Sequence, residues 1–152
     1  MHGPTRFIAK ALAAFGFLAV LCQAAANDLA DEKVKLICDL SIETVWGSGA
    51  KTERSQESVP VDVERVHHEL FIEATGKTLV FAINTHTRTV EDRSDSTRWQ
   101  MFDSTAGSER KVERQVTIDR NSGRFVYYLD EPVRHVSATG TCTKVDTEKR
   151  VF

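Results

Sequence analysis

The sequence carries no strong charge of either sign. Its 20 lysines and arginines stand against 22 aspartates and glutamates, for a net charge of −2 at pH 7. That excludes the basic field presented by a nucleic-acid or anionic-membrane binder. No helical period is sustained after residue 30, and neither repeat nor linker interrupts the chain. One domain poor in helix is therefore expected. The local catalytic signatures are missing as well. There is no G-x-S-x-G elbow, no H-E-x-x-H helix and no glycine-rich phosphate loop. The three cysteines include no C-x-x-C pair, so nothing marks a low-pKa thiol.

What is present begins with a leader, "MHGPTRFIAKALAAFGFLAVLCQAAAND". Arg6 and Lys10 precede an apolar run from Ala11 to Cys22, and Ala24-Ala25-Ala26 follow. This is the secretory pattern, and it predicts a signal peptide over 1–26 and a single β domain over 27–152. A transmembrane anchor is the alternative, but the run is shorter than the ~20 residues that span a bilayer. A lipid on Cys22 is a further alternative, set back by Leu21 where such signals carry a small residue. Cleavage removes Arg6 and Lys10 and no acid, taking the net charge from −2 to −4.

Two cysteines then remain, Cys38 and Cys142. In an exported protein they predict a disulfide. A loop of that length stabilises by about 4.7 kcal/mol in the chain-entropy model. The bridge also constrains topology, because the two Cα atoms must approach within ~7 Å. First and last strands therefore pair, as in a barrel, or face each other across a sandwich.

Period-two alternation marks the strands. Val34, Leu36, Cys38, Leu40 and Ile42 alternate with polar residues to about Trp46. "GSGAKTERSQES", from Gly47 to Ser58, reads as a loop. Val59, Val61 and Val63 open a second strand, and the apolar phase then slips to Val66, His68, Leu70, Ile72 and Ala74. The slip predicts a bulge or a bend. "TLVFAIN" reads as a central strand, and "HTRTVED" continues it or forms a neighbour. Short strands follow at Trp99, Met101 and Phe102, at Val112 to Ile118, at Phe125 to Leu129 and at Val136 to Cys142. Asn121-Ser122-Gly123 supplies a tight hairpin turn. The expectation is all-β: one antiparallel meander of seven to eight strands, barrel-like in the manner of lipocalins, or a sandwich. A lipid-facing barrel closing on Phe152 is disfavoured, because Asp146, Glu148 and Arg150 hold the positions that would face lipid.

Few residues suggest chemistry. His67 and His68 form the most metal-like cluster, yet neighbours on a strand point to opposite faces. The plain expectation is a buried, hydrogen-bonded His68 in phase with Leu70 and an exposed His67; His86 and His135 stand alone. Arg110, Lys111, Arg114, Arg120 and Arg124 interleave with Glu109, Glu113 and Asp119, which reads as a solvated ion-pair surface. Arg114 lies in phase with Val112, Val116 and Ile118. It marks a bulge or edge position, or it points inward to meet an anionic ligand. Trp46 and Trp99 are core residues or stacking platforms. Trp46, His68, Trp99 and Arg114 are the candidate ligand contacts; no catalytic residue, metal site or cofactor is assigned.

"VTIDRNSGRFVYY", followed by "GTCTKV" and a final "RVF", resembles small exported, periplasmic β-rich proteins of Gram-negative bacteria. Their pattern is an Ile-Asp-Arg-x-Ser/Thr-Gly hairpin, then Gly-x-Cys, then a closing Phe. The matching residues are Ile118, Asp119, Arg120, Ser122, Gly123, Gly140, Cys142 and Phe152, with Cys38 in a first strand. The resemblance implies compartment and fold and names no activity.

The function expected is that of a periplasmic or secreted, non-enzymatic binding protein. Its partner would be a small apolar or anionic ligand in a barrel mouth, or an envelope protein. Two alternatives stand beside it. One is an inhibitor or partner of an envelope hydrolase, inserting the segment from Gly47 to Ser58. The other is a metal-dependent enzyme using His67 or His68.

Overall fold

The computed structural model describes residues 29–47, 49, 51–105 and 111–145. Residues 1–28, which include the expected signal peptide, Glu109 and Arg110 of the basic cluster, and Asp146, Glu148, Arg150 and Phe152 lie outside the described residues. Nine strands form one sheet: β1 (Glu32–Trp46), β2 (Lys51–Val66), β3 (Glu69–Thr75), β4 (Val80–Asn84), β5 (Val90–Asp92), β6 (Arg98–Thr105), β7 (Val112–Asp119), β8 (Arg124–Glu131) and β9 (Arg134–Lys144). Their order is β4-β3-β2-β1-β9-β8-β7-β6-β5, and each neighbouring pair is antiparallel. First and last strands therefore pair, over Leu36↔Lys144 to Trp46↔Arg134. Cys38 lies directly opposite Cys142, and the two form the disulfide. Of the two architectures a cross-linked meander allows, this is the barrel, nearly closed.

The opening lies in mid-chain. Antiparallel neighbours alternate in direction, so the two edge strands of a nine-strand order run the same way. Those edges are β4 and β5, joined only by residues 85–89. They follow the path of one interrupted strand whose first half pairs with β3 and whose second half pairs with β6. Side chains bridge the gap in the backbone ladder. Arg114 donates from Nη1 to the Ala82 carbonyl at 3.2 Å and from Nη2 to Asp103 at 2.7 Å. Asp103 also accepts from Thr89 Oγ at 2.7 Å. Phe81 of β4 stacks on Tyr127 of β8 across the lumen, 4.4 Å between centroids.

Alternation decides what fills the interior. Leu36, Cys38, Leu40 and Ile42 of β1 point inward, as do Val59, Val61 and Val63 of β2. Leu70, Ile72 and Ala74 of β3, with Ile83, Trp99, Met101, Val116, Ile118, Phe125 and Tyr127, also fill the packed lumen. Outward positions such as Lys33, Lys35, Asp39 and Glu43 are polar. An apolar inside and a polar outside reverse the pattern of a lipid-facing barrel. Burial pushes the Tyr127 hydroxyl up to about 12.

Three expectations change. The strand count is nine rather than seven or eight, chiefly because the run from Val59 to Ala74 is two strands. Its phase slip is a hairpin turn, not a bulge: Val66 pairs with Glu69, and His67 and His68 both adopt positive φ, 49° and 71°. Two consecutive left-handed residues make the tight turn that suits the twist of a hairpin. Histidine tolerates that conformation better than most residues, so the turn hides without glycine. Next, the segment from Gly47 to Ser58 is no loop. β2 begins at Lys51 and pairs with β1 along its whole length. Because β3 joins β2 only from Val61 onward, residues 51–58 project with both faces largely exposed. A strand that buries neither face needs no alternation, and period-two reading misses it. Finally, Arg114 marks no bulge. Its register to Asp103 and Leu129 is unbroken.

Close approach explains two glycines of the C-terminal hairpins. A Cβ on Gly140 would lie 1.9 Å from the Asp39 carbonyl oxygen, where β9 crosses β1 beside the disulfide. Gly123 has φ 71°, and its Cβ would lie 2.2 Å from the Cys142 carbonyl oxygen. It donates to the Asp119 carbonyl at 2.9 Å and accepts from Cys142 N–H at 2.7 Å, so the β7–β8 turn clasps the disulfide strand.

Candidate functional site

The two ends of the barrel differ. At the end where β1 begins, the inward phase carries charge. Glu32, Arg65 and Asp92 continue the inward rows of β1, β2 and β5, and Arg120 follows β7. The Trp99 indole N–H donates to Glu32 Oε1 at 2.7 Å. Arg120 donates to the other oxygen of Glu32, and its guanidinium lies 4.5 Å over the Trp99 ring. Arg65 donates from Nη1 to Asp92 at 2.7 Å. Burial raises the Asp92 carboxyl, but hydrogen bonds from Arg65 and Ser94 outweigh it and hold the group below the ordinary carboxylate range. Arg65 is 3% exposed, and its Nε and Nη2 have no hydrogen-bond partner among the described residues.

Beside this polar layer lies a cavity of ≈ 230 Å³. Leu36, Trp99, Ile118 and Cys142 supply apolar wall, and Arg120 and Lys144 supply positive charge. The turn from Asp119 to Gly123 forms the remaining side. Asp119 points into its own turn, accepting from Ser122 N–H at 2.7 Å and Asn121 N–H at 3.0 Å. Those bonds, from Ser122 above all, hold its carboxyl below the ordinary range. A recess of ≈ 510 Å³ on the outer face, over Asp39, Ser41, Gln56, Ser58 and Thr139, is larger. It is open and lacks cations in its lining. The mouth combines shelter, apolar wall and charge, as small-molecule sites do.

The residues singled out from sequence separate. Trp99 is 2% exposed and lines the mouth cavity. Arg114 points inward, as one alternative had it, but there it stitches the seam. Trp46 sits at the opposite end, 38% exposed, under Arg134 at 5.8 Å. With Tyr127, Leu129 and Val80 it lines a smaller hollow of ≈ 140 Å³. His68 is not buried in phase with Leu70; like His67 it is exposed at the β2–β3 turn. A left-handed residue leaves the strand's alternation, so the phase rule fails there. His67 lies beside Asp31, and His86 beside Glu69. Among the described residues no three His, Cys, Asp or Glu side chains converge as metal ligands would. The basic cluster is only partly a solvated surface. Lys111 pairs with Glu113 in the open, whereas Arg120 is drawn in against Glu32 and Trp99.

Glu32, Arg65 and Asp92 were not singled out from sequence. A signal existed. Glu32 is in phase with Val34 and Leu36, and Arg65 with Val61 and Val63, the same charge-in-phase anomaly that marked Arg114. At strand ends it is masked, because phase is ordinarily lost there. No known family model, curated protein or solved structure matches the chain.

Proposed function

We propose that the chain is a periplasmic or secreted, non-enzymatic binding protein that takes a small ligand at the Glu32 end of its barrel. The observation that carries this is the ≈ 230 Å³ cavity, walled by Leu36, Trp99, Ile118 and Cys142 and edged by Arg120 and Lys144. The disulfide and the leader sequence support export. The test is native mass spectrometry of protein isolated from the periplasm without refolding. The expected mass begins at Asn27, is lighter by the two thiol hydrogens, and carries an addition that leaves on denaturation. Hydrolytic turnover lost on a single point mutation would overturn the non-enzymatic reading.

A second reading has its own observation. Residues 51–58 of β2 pair with β1 on one side and lie beyond β3 on the other. An open strand edge can accept a partner's strand, which suits an inhibitor or partner of an envelope hydrolase. Pull-down from envelope extract with the 51–58 arm intact and shortened tests it. Equal capture by both forms counts against the arm.

A further inference from the structure

Building on the mouth reading, we propose that the ligand is a small anion with an apolar body, and that its binding transfers the Glu32 carboxylate from Arg120 to Arg65. The ligand class follows from the lining. Leu36, Ile118, Trp99 and Cys142 offer apolar contact, while Arg120 and Lys144 offer charge. The one carboxylate in the wall, Asp119, is already occupied by the N–H groups of its turn. Lys144 has no carboxylate partner among the described residues, and Arg120 is paired with Glu32, which stands outside the cavity wall. An anion entering the cavity thus competes with Glu32 for Arg120.

Glu32 has a second place to go. It stands directly opposite Arg65 in the β1–β2 register, on the same inward face. Side chains so placed start ~5 Å apart at Cβ. Arg65 keeps Nη1 on Asp92, while its Nε and Nη2 are buried without a partner among the described residues. Those two N–H groups form the edge of a guanidinium that grips one carboxylate with two parallel bonds. Buried donors left unmade are costly, so the layer holds one carboxylate between two competing guanidiniums. A ligand anion on Arg120 tips that competition, satisfies Arg65 and adds no unpaired charge to the interior.

The test uses the full chain with its disulfide intact, in a Trp46→Phe background that leaves Trp99 as the sole tryptophan. The probes are sodium benzoate, benzyl alcohol as its neutral counterpart, and inorganic phosphate as an anion without an apolar body. Benzoate is expected to shift Trp99 emission, because Glu32 leaves the indole N–H, and to bind about tenfold tighter than either control. Arg65→Lys keeps the charge and loses the two-toothed edge; it is expected to weaken benzoate about tenfold although Arg65 lies outside the cavity wall. Glu32→Gln removes the competitor, so benzoate binds tighter and Arg65→Lys then has no further effect. An Arg65→Lys effect that is absent, or equal with and without Glu32→Gln, overturns the transfer. Benzyl alcohol binding as well as benzoate overturns the anionic class and leaves the mouth reading standing. If no probe binds, a ligand carried in the native mass spectrum still upholds the mouth reading while this proposal falls; without one, both fall.

Discussion

Arg114→Met removes the guanidinium that ties the Ala82 carbonyl of β4 to Asp103 of β6 across the seam. The stem is kept and packing changes little, so the effect is chiefly that of lost hydrogen bonds. Two disappear: Nη2 to Asp103 at 2.7 Å and Nη1 to the Ala82 carbonyl at 3.2 Å. Asp103, only 9% exposed, is left with Thr89 as its remaining side-chain partner. Both lost bonds are donated by a charged guanidinium, and a hydrogen bond to a charged group contributes roughly 1.5–3 kcal/mol. The Arg114 side chain is 24% exposed, so water screens part of the charge. The expected loss is therefore about 3 kcal/mol, at the lower end of the sum. Asp103→Leu alone strands the guanidinium and is expected to cost a similar amount. Making both changes removes donor and acceptor together, and the double variant should recover about 1 kcal/mol or more relative to additivity. Urea unfolding of the oxidised protein measures all four corners of that cycle. Amide exchange near Ala82 and Thr89 should accelerate before the rest of the barrel opens. The reasoning is refuted if Arg114→Met loses less than about 0.5 kcal/mol, or if the two changes simply add.

Other consequences are as direct. Gly123→Ala meets the Cys142 carbonyl at 2.2 Å and holds φ at 71°, so a loss above about 2 kcal/mol is expected by chemical denaturation; a silent substitution would mean the β7–β8 turn does not clasp β9. Replacing His67-His68 by Asn-Gly suits the two positive φ values of 49° and 71° and should raise stability by about 1 kcal/mol. A drop in thermal midpoint would contradict the hairpin. Asp92 is depressed below its ordinary 3.8 in the folded state, so its contribution is complete above that value and fades as pH falls through the lower, folded one. Asp92→Asn should accordingly flatten the acid limb of the stability profile below about pH 4 and lower the plateau at pH 7; an unchanged acid limb would separate Asp92 from acid unfolding.

Residues that bury one face of a strand were legible in the sequence. Val34 to Ile42 and Phe125 to Leu129 alternate because one side meets the lumen, and two cysteines alone bring the first and last strands together, paired in a barrel or facing across a sandwich. What escaped has a physical reason in each case. Residues 51–58 bury neither face, so their composition is that of a loop although their backbone is fully paired with β1. His67-His68 turns without a glycine. The interruption between β4 and β5 shows in the sequence only as a change of phase, from Phe81 and Ile83 to Val90, while both halves keep the same direction. Arg114 was legible as an anomaly, but its partners, Asp103 and the Ala82 carbonyl, lie 11 and 32 residues away. Of the mouth site, Trp99 was named as a candidate and Arg120 only as part of a charged surface, since Glu32, Arg65 and Arg120 meet only after the sheet has rolled up.

The position of the disulfide also decides how the molecule would bear a load. β1 begins and β9 ends at the same mouth, and Val145 N–H still bonds the Lys35 carbonyl at 2.9 Å. Tension between the two ends therefore peels β9 from β1 like a zip, starting at Leu36↔Lys144 and passing Ile37↔Thr143. The next pair is Cys38 and Cys142, and there the peel stops at a covalent bond. Force passes from one sulfur to the other and bypasses the chain between two positions 104 apart in sequence. The oxidised barrel hangs slack inside a loop that carries no tension; reduction alone puts its strands in the line of pull.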